Sequence, residues 1–303
     1  MKAAQFQRFG EPEVLEIVDL PDPRPGPGQV RIFVHAAGIS GTDPKLRSGE
    51  LNFGVALPQT TGRDVAGVVD EVGEGVTDVA VGDRVFGVSD DGAGAAELAL
   101  LTFRAVIPWS LGFVDAAALP VALETATRAL DQLGVASGSA LFINGASGGI
   151  GSTAVQLAVA RGARVIGAAS AGNQNYLTLL GAEPVVYGEG MVDRVRALAP
   201  DGVDVALDVA GNGVLPELID LAGGAANVVT LADFVGSKEH GVRFSNGFSD
   251  GHAFHSLDEI GELIEAGRFW LPVDKTFPLA AIAEAHRVSE HGHVRGRLVL
   301  VVG

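Results

Sequence analysis

The chain has 303 residues, of which 47% are hydrophobic and 19% charged, enough apolar material for two modest domains or one large one with packed cores. Its formal net charge of −16 argues against nucleic acid or an anionic membrane surface as the main partner. With no cysteine the chain forms neither a disulfide nor a thiolate metal site, and no apolar run approaches the roughly 18 residues of a membrane span. We therefore expect a globular, cytoplasmic protein.

The N-terminal part, to about residue 110, reads as a series of short strands. Alternating polar and apolar residues mark half-buried strands in "GQVRIFVHAAGI", "GRDVAGVVDEVGEGV" and "VGDRVFGV", and glycine turns separate them. Strands at this spacing, without long helical patterns between them, predict a β-rich or barrel-like domain.

The pattern changes near residue 115. The segment "VDAAALPVALETATRALDQLG" has apolar residues at helical spacing and predicts one helix that ends at Gly134. After it, five apolar strand segments, "ALFIN", "RVIGAA", "PVVY", "VDVALDVA" and "AANVVTLA", alternate with helices predicted at 149–161 and around 173–180, 191–198 and 214–222. Nearly continuous apolar strands predict a parallel sheet covered by helices on both faces.

The C-terminal part predicts a helix over 256–267, one further helix, and a final strand in "RGRLVLVVG" that rejoins the first domain. The segment "AANVVTLADFVG" has two interpretations: it contains an edge strand at which two copies pair, or it is ordinary buried sheet.

A glycine-rich turn follows the strand "ALFIN". The turn "ASGGIG" matches the pattern G-x-G-x-x-G with Ala146 in the first position. Gly148 lets the backbone approach a pyrophosphate, and Gly151 lets the helix pack close to the sheet. The N–H groups of the first helical turn have no partners within the helix and are able to bind phosphate oxygens. The order of strand, turn, helix and second strand therefore predicts a dinucleotide site.

The segment around this turn lacks acidic residues from Asp131 to Glu183. Enzymes that use NAD usually carry a carboxylate about 20 residues past the glycines, where it bonds the ribose 2′-hydroxyl. Here that place holds Ala168, Ala169 and Ser170. Ser170, with Asn173 and Asn175, tolerates a 2′-phosphate, which favours NADP(H) over NAD(H). The alternative is that an Ala/Gly-rich strand and helix simply offer few sites for charge.

Several motifs together resemble the medium-chain dehydrogenase/reductase superfamily, in its zinc-free quinone oxidoreductase branch. They are "AAGISGTDPKLRSGE", "TTGRDVAGVVDEVGEGVTDVAVGDRVFG", "GAAELAL", "ALPVALETATRAL", "INGASGGIGSTAVQLA" and "GHVRGRLVL". The resemblance implies an α/β protein with a GroES-like, β-rich catalytic domain over 1–115 and 245–303. A Rossmann domain with a doubly wound parallel sheet is implied over 116–244, with cofactor and substrate meeting in the cleft between the domains. It also implies a homodimer that acts on a small-molecule substrate.

The resemblance assigns cofactor contacts position by position. Thr125 matches a threonine near the nicotinamide, Ser170 the small residue after the second strand, and Tyr187 a tyrosine near the 2′-phosphate. Relatives often have a lysine, which would bind the 2′-phosphate, in the loop that here reads "SAGNQNY". Arg164 is a candidate to replace that lysine. The full expected set is Thr125, Ala146, Ser147, Gly148, Gly149, Ile150, Gly151, Ser170, Asn173, Tyr187, Ala210 and Leu231.

The same resemblance argues against a metal. In zinc-dependent relatives a cysteine stands where this chain has Ser40, and a His-Glu pair where it has Arg63 and Asp64. Serine and arginine are poor zinc ligands, and the cysteine-rich structural zinc lobe is missing. The seven histidines show no convincing ligand spacing. We expect no metal.

On the substrate side, the candidate catalytic residues are Ser40, Thr42, Asp43 and Lys45. Many quinone oxidoreductases have Asn at the place of Ser40, and an aromatic residue near Pro44, which this chain lacks. Ser40, Thr42 or Lys45 would hydrogen-bond a developing enolate, with solvent as the proton source. Asp43 is either catalytic or a hydrogen-bonding residue of the turn.

The leading hypothesis is an NADPH-dependent, zinc-independent oxidoreductase that transfers hydride to a quinone or an α,β-unsaturated carbonyl. One alternative is a zinc-free ketone or alcohol oxidoreductase of a biosynthetic pathway. The other is a non-catalytic NADPH-binding sensor, since the fold alone does not fix the function.

Overall fold

The computed structural model describes residues 1–51, 54, 56–292 and 294–303, and these fall into two units. The first comprises Met1–Val121, Leu257–Glu265 and Trp270–Gly303, and the second Ala122–Ser256 and Ala266–Phe269. The domain ranges given from the sequence stay a prediction.

The first unit begins with eight strands and two short helices. The strands are β1 (Lys2–Phe6), β2 (Leu15–Asp19), β3 (Val30–Ile39), β4 (Gln59–Thr60), β5 (Asp64–Val72), β6 (Arg84–Val88), β7 (Leu98–Leu101) and β8 (Phe103–Val106). The helices are α1 (Thr42–Ser48) and α2 (Phe113–Ala117). The alternation in β3 buries Val30, Ile32 and Val34, as expected for a strand with one face on the core.

The second unit alternates helices and strands. They are α3 (Pro120–Gln132), β9 (Ala140–Asn144), α4 (Gly149–Ala160), β10 (Arg164–Ala169), α5 (Gln174–Leu179), β11 (Glu183–Val186), α6 (Met191–Leu198), β12 (Val205–Asp208), α7 (Leu215–Leu221), β13 (Val228–Thr230), α8 (Phe234–His240), β14 (Arg243–Phe244) and α9 (Gly247–Asp250). The strands form a parallel sheet in the order β11-β10-β9-β12-β13-β14. This is the order of the doubly wound dinucleotide-binding fold.

The C-terminal segment returns to the first unit with α10 (Ser256–Glu265), β15 (Val273–Pro278), α11 (Ile282–His291) and β16 (Arg297–Val301). Strand β16 pairs antiparallel with β3 and parallel with β15. The resulting sheet has the order β15-β16-β3-β5-β6-β8, and β7 also pairs with β3. The prediction that the last strand rejoins the first domain is confirmed, and so is the predicted fold class, a GroES-like domain with a doubly wound parallel-sheet domain.

One expectation about the elements was wrong, one open alternative is resolved, and three elements were not predicted. The single helix predicted to end at Gly134 is two helices, α2 and α3, because Pro120 disfavours helical backbone at the residue before it. Strand β13 lies between β12 and β14, so it is buried sheet and not the edge at which copies would pair. The edge strand β14 and its neighbours α8 and α9 were not predicted.

Among the described helices, none has the length and the apolar composition that a membrane span requires.

Candidate functional site

The glycine-rich turn joins β9 to α4 and is shaped by close backbone contacts. Gly145 has φ of +82°, and the Gly148 N–H donates to its carbonyl oxygen at 3.4 Å. A Cβ added at Gly151 would lie 2.2 Å from that same oxygen, so only glycine lets the helix pack this close. The turn is tied to β10 by the Ala146 N–H, which donates to Ala168 O at 3.0 Å.

The N-terminus of α4 is open for an anion. Gly148 is the N-cap residue, and no side chain caps the helix and no acidic residue lies in its first turn. The first hydrogen bond of the helix runs from the Ser152 N–H to Gly148 O at 2.8 Å, which leaves the N–H groups of Gly149, Ile150 and Gly151 without helical partners. In front of Gly148 a new Cβ would meet only Gly145 O, at 3.8 Å. The turn therefore fits a pyrophosphate.

Three predicted contact residues meet beside this turn. The Asn173 amide nitrogen donates to the hydroxyl oxygens of Ser147 and Ser170, at 3.2 Å each. Ser147 belongs to the glycine turn and Ser170 follows β10, so Asn173 joins the two loops. The three side chains are partly exposed. This cluster is polar and uncharged, and it lies where a carboxylate would bind the 2′-hydroxyl of NAD.

Asp208, at the end of β12, organises the place where the strand order reverses. It is fully buried and accepts hydrogen bonds from the Asn144 amide at 2.9 Å and the Thr230 hydroxyl at 2.7 Å. The N–H groups of Ala210 and Gly211 donate to it at 3.2 and 2.8 Å. One carboxylate thus joins the ends of β9, β12 and β13, the edge at which such sheets bind ligands. Sequence reasoning missed it, although an Asp that closes an apolar strand was a visible signal.

The predicted contacts Ala210 and Leu231 belong to this network. The Leu231 N–H donates to the Asp208 carbonyl oxygen at 2.8 Å. A Cβ added at Gly145 would lie 2.8 Å from the Ala210 Cβ, so Ala210 borders the glycine turn.

Replacing Asp208 by Asn should destabilise the protein by about 2 kcal/mol, because an amide offers one acceptor oxygen where four donors now converge. We expect urea unfolding to show the loss. The Asp220→Asn variant is the control, since Asp220 makes an exposed ion pair with Arg196. Equal stability of the two variants would contradict the assignment of Asp208 as the organiser of this edge.

Thr125, the predicted nicotinamide contact, lies in α3 and is mostly buried. Its hydroxyl donates to the Glu124 carboxylate at 3.0 Å, and the Arg128 guanidinium donates to the same carboxylate at 2.8 Å. Burial alone would raise the pKa of Glu124, but the hydrogen bond and charge of Arg128 hold that pKa below its usual value. A carboxylate only accepts, so the Thr125 hydroxyl presents its oxygen, not its proton, to any other group.

Tyr187 follows β11 and is 56% exposed, and its N–H donates to Ala169 O at 3.3 Å. It therefore lies beside the end of β10.

Arg164 does not lie at that end of the strand. It is the first residue of β10, five residues before the end, or roughly 16 Å away. Two of its nitrogens bind the Glu183 carboxylate at 2.6 and 2.9 Å. The suggestion that Arg164 substitutes for the missing lysine is wrong.

In the first unit, Ser40 and Asp43 form a closed turn at the end of β3. The Ser40 N–H and hydroxyl donate to one Asp43 oxygen at 2.7 and 2.8 Å, and the Thr42 N–H donates to the Ser40 hydroxyl oxygen at 3.3 Å. Asp43 is only 4% exposed. Thr42 and Lys45 have exposed side chains, and Lys45 pairs with Glu50 at 3.3 Å. The geometry favours Asp43 as the hydrogen-bonding residue of the turn.

A buried polar group lies close to Asp43. His286 is fully buried, and burial lowers its pKa to about 4, against the opposing charge of Asp43 and with the help of Arg47. Arg47 is itself buried and pairs with Glu290. Helix α11 therefore contributes an uncharged imidazole to this region at neutral pH.

Asp64 forms a buried ion pair with Arg297. It stands at one of the two positions where zinc-dependent relatives have the His-Glu pair. Its carboxylate accepts from the Arg297 guanidinium and from the Val121 N–H, the latter at 2.5 Å. Asp64 is 1% exposed and Arg297 5%. Burial raises the pKa of Asp64 to about 6, while Arg297 and the Val121 N–H act in the opposite direction.

Two family descriptions match the chain. Residues 26–112 match "Alcohol dehydrogenase GroES-like domain". Residues 180–300 match "Zinc-binding dehydrogenase". The matches cover most of the first unit and the C-terminal half of the second.

Similar proteins span the whole chain. A quinone oxidoreductase of Rattus norvegicus is 32% identical over 325 residues, covering 100% of this chain and 98% of its own. A 2-methylene-furan-3-one reductase of Solanum lycopersicum is 31% identical over 322 residues, covering 99% of this chain and 79% of its own. The solved quinone oxidoreductase of Coxiella burnetii has a TM-score of 0.86 and 32% identity, covering 100% of this chain and 99% of that one. The chain belongs to the quinone oxidoreductase branch of the medium-chain dehydrogenase/reductase superfamily and is an oxidoreductase.

Proposed function

We propose that this protein is an NADPH-dependent, zinc-independent reductase of quinones or α,β-unsaturated carbonyl compounds. The observation that carries the proposal is the uncapped N-terminus of α4, which lies beside the uncharged cluster of Ser147, Ser170 and Asn173. The similar quinone oxidoreductases and the furanone reductase support the two substrate classes.

The residues of the second unit fit a dinucleotide. When bound, NADPH supplies the hydride that reduces an electron-poor carbon. The N–H groups of Gly149, Ile150 and Gly151 would hold the pyrophosphate, since they precede the first helical hydrogen bond and the helix dipole favours an anion there. Thr125 would orient the nicotinamide amide by accepting from its NH₂ group, because its own proton goes to Glu124.

The proposed preference for the 2′-phosphate rests on the side chains that follow the last residue of β10. Ser170 and Asn173 are hydrogen-bonding side chains without charge, and they replace the carboxylate that would repel a phosphate dianion. A 2′-hydroxyl gains less from this site, because no carboxylate accepts its proton. We therefore propose NADPH over NADH.

The side chains at the zinc-ligand positions do not fit a catalytic zinc ion. The Ser40 hydroxyl is committed to Asp43, and Asp64 is neutralised by Arg297. The chain has no cysteine to supply a thiolate, and serine is a poor ligand. A conjugated carbonyl spreads developing charge by itself, so the proposed reaction proceeds without a Lewis acid.

On the substrate side, the exposed Thr42 hydroxyl and Lys45 ammonium are the donors we propose for a developing enolate. Ser40 is a weaker candidate than the sequence indicates, since its proton is held by Asp43. Solvent would then supply the final proton.

Oxidation of NADPH by a panel of quinones and enones tests the proposal. We expect turnover with at least one class, and kcat/KM for NADPH at least about tenfold above that for NADH, the worth of one charge-assisted hydrogen bond. Chelator treatment should leave the rate unchanged. No turnover on any substrate at saturating NADPH would defeat the proposal of a reductase, and chelator-sensitive turnover would defeat zinc independence.

A further inference from the structure

Glu124 and Arg128 form a buried ion pair one turn apart on α3, with side chains that are 6% and 7% exposed. The Arg128 Nε donates to Glu124 Oε1 at 2.8 Å, and the Ala253 N–H donates to the same oxygen at 3.4 Å. Glu124 Oε2 accepts from the Thr125 hydroxyl at 3.0 Å and has a longer contact with Arg128 Nη2 at 3.4 Å. The two oxygens of this carboxylate thus have different main partners: Oε1 binds the arginine, and Oε2 takes the proton of Thr125.

This ion pair lies at the carboxyl edge of the parallel sheet. Arg128 Nη1 donates to the hydroxyl oxygen of Ser245, the residue that directly follows β14. The Ser245 N–H donates to the carbonyl oxygen of Thr230, the last residue of β13, at 3.0 Å. In the doubly wound fold each half of the sheet binds one nucleotide of the cofactor. The proposed 2′-phosphate position follows β10, so the half that contains β12, β13 and β14 is the one for the nicotinamide.

The hydroxyl of Thr125 has a fixed polarity. Glu124 stays ionised, because burial raises its pKa but the hydrogen bond and charge of Arg128 lower that pKa by more. An ionised carboxylate accepts hydrogen bonds and donates none, so the single proton of the Thr125 hydroxyl is committed to it. For a ligand this hydroxyl is an acceptor. The carboxamide of nicotinamide offers a carbonyl oxygen and an NH₂ group, and only the NH₂ group matches an acceptor.

We propose that the Glu124–Arg128 pair makes the site specific for cofactors whose pyridine ring carries a carboxamide, because it holds Thr125 as an acceptor. This inference rests on the proposed function, in which Thr125 accepts from the NH₂ group of that carboxamide. An acetyl group in its place presents a methyl group or a second acceptor oxygen, and a carboxylate presents two acceptor oxygens. Each leaves the Thr125 oxygen without a donor. Glu124 and Arg128 are positioning residues, since they act through Thr125.

Calorimetry with NADP, its 3-acetylpyridine analogue and its nicotinic acid analogue tests the proposal. We expect the wild type to bind NADP about 10- to 100-fold more tightly than either analogue, the cost of leaving one acceptor unpaired. In Glu124→Gln the amide oxygen keeps the bond to Arg128, and the amide NH₂ group donates to the Thr125 oxygen. The Thr125 proton is then free to bind the acetyl carbonyl, so this variant should bind the acetylpyridine analogue about fivefold more tightly than the wild type does.

The matched control is Asp131→Asn, a carboxylate-to-amide change on the same helix that breaks an exposed ion pair with Arg161. It should leave all three dissociation constants unchanged. Arg128→Met should relax the specificity as Glu124→Gln does, because a buried carboxyl group without its cation takes up a proton and becomes a donor. Arg128→Lys should keep the specificity. The cofactor fragment without nicotinamide, 2′-monophosphoadenosine 5′-diphosphoribose, should bind all variants equally, which shows that they are folded.

The outcomes separate this inference from the function on which it rests. A wild type that binds NADP and both analogues equally well overturns the inference and leaves the proposed reductase standing. An unchanged preference in Glu124→Gln overturns the inference as well, since another group then sets the choice. A wild type that prefers NAD overturns the proposed cofactor preference, and the same comparison with NAD and its acetylpyridine analogue then decides the inference. A wild type that binds neither dinucleotide overturns both.

Discussion

Replacing Arg297 by Met should lower the free energy of unfolding by about 3–5 kcal/mol at pH 8, because it leaves the buried Asp64 carboxylate without its cation. Arg297 also lowers the pKa of Asp64, which is about 6 with the arginine present. Without it, the pKa in the folded protein should rise further. A carboxyl group whose pKa is raised by folding takes up a proton on folding, so its folded state gains stability as the pH falls.

The loss in Arg297→Met should therefore shrink between pH 8 and pH 5, where Asp64 becomes neutral. Urea unfolding at the two pH values measures this. The control is Arg287→Met, which breaks an exposed pair with Glu13 and should show no measurable change at either pH. A loss of the same size at pH 5 and pH 8 would show that the arginine contributes by packing alone.

Two glycines of the turn should respond to the same substitution in different ways. Gly151→Ala places a Cβ against the Gly145 carbonyl, a contact of 2.2 Å that the backbone must relieve by moving α4. We expect about 1–3 kcal/mol of lost stability and loss of cofactor binding. The methyl group added by Gly148→Ala would have no neighbouring atom closer than 3.8 Å, and the φ of −76° at this position is ordinary for alanine. It should keep the stability and still weaken cofactor binding on the order of 100-fold, because the methyl group occupies the approach to the phosphates.

Calorimetry with NADPH and thermal unfolding would measure both properties. Gly261→Ala is the control: it lies in α10 with no atom closer than 3.9 Å and should leave cofactor binding intact. Full cofactor affinity in Gly148→Ala would remove the glycine turn from the site.

The sequence predicted those parts of the fold that depend on local patterns. The bounds of β9, β10 and α6 agree with the structure to the residue, since apolar strands and amphipathic spacing are local signals. The signals for α8 were also present: Asp233 caps it by accepting from the Gly236 N–H at 2.7 Å, and Gly241 ends it with φ of +68°. The helix was not predicted because its first residues, Phe234–Gly236, were included in the apolar segment "AANVVTLADFVG", which was interpreted as sheet.

The missed site residue, Asp208, depends on pairing between distant segments. Asp208 meets Asn144 only because β12 lies beside β9, and these residues are 64 positions apart in the chain. Arg164 was a mistaken candidate because only its distance along the chain from the glycines was considered. It lies at the beginning of β10, and the cofactor site lies at the other end of that strand. The predicted strand "RVIGAA" already begins with Arg164, so the sequence alone was enough to place this residue at the amino end of the strand.

The central place of β16 in its sheet has a consequence for synthesis. The strand formed by Arg297–Val301 inserts between β15 and β3, so the first unit combines segments that precede and follow the second unit in the chain. The second unit is almost continuous, from Ala122 to Ser256 with a short addition at Ala266–Phe269, so all of its residues are synthesised before the first unit is complete. Until β16 emerges, Ala36–Ile39 of β3 stay open to intermolecular strand pairing, whereas β7 already covers Val30–Phe33 on the same edge. A chain shortened by a premature stop codon near its end would retain a complete nucleotide-binding half and an unfinished, aggregation-prone partner.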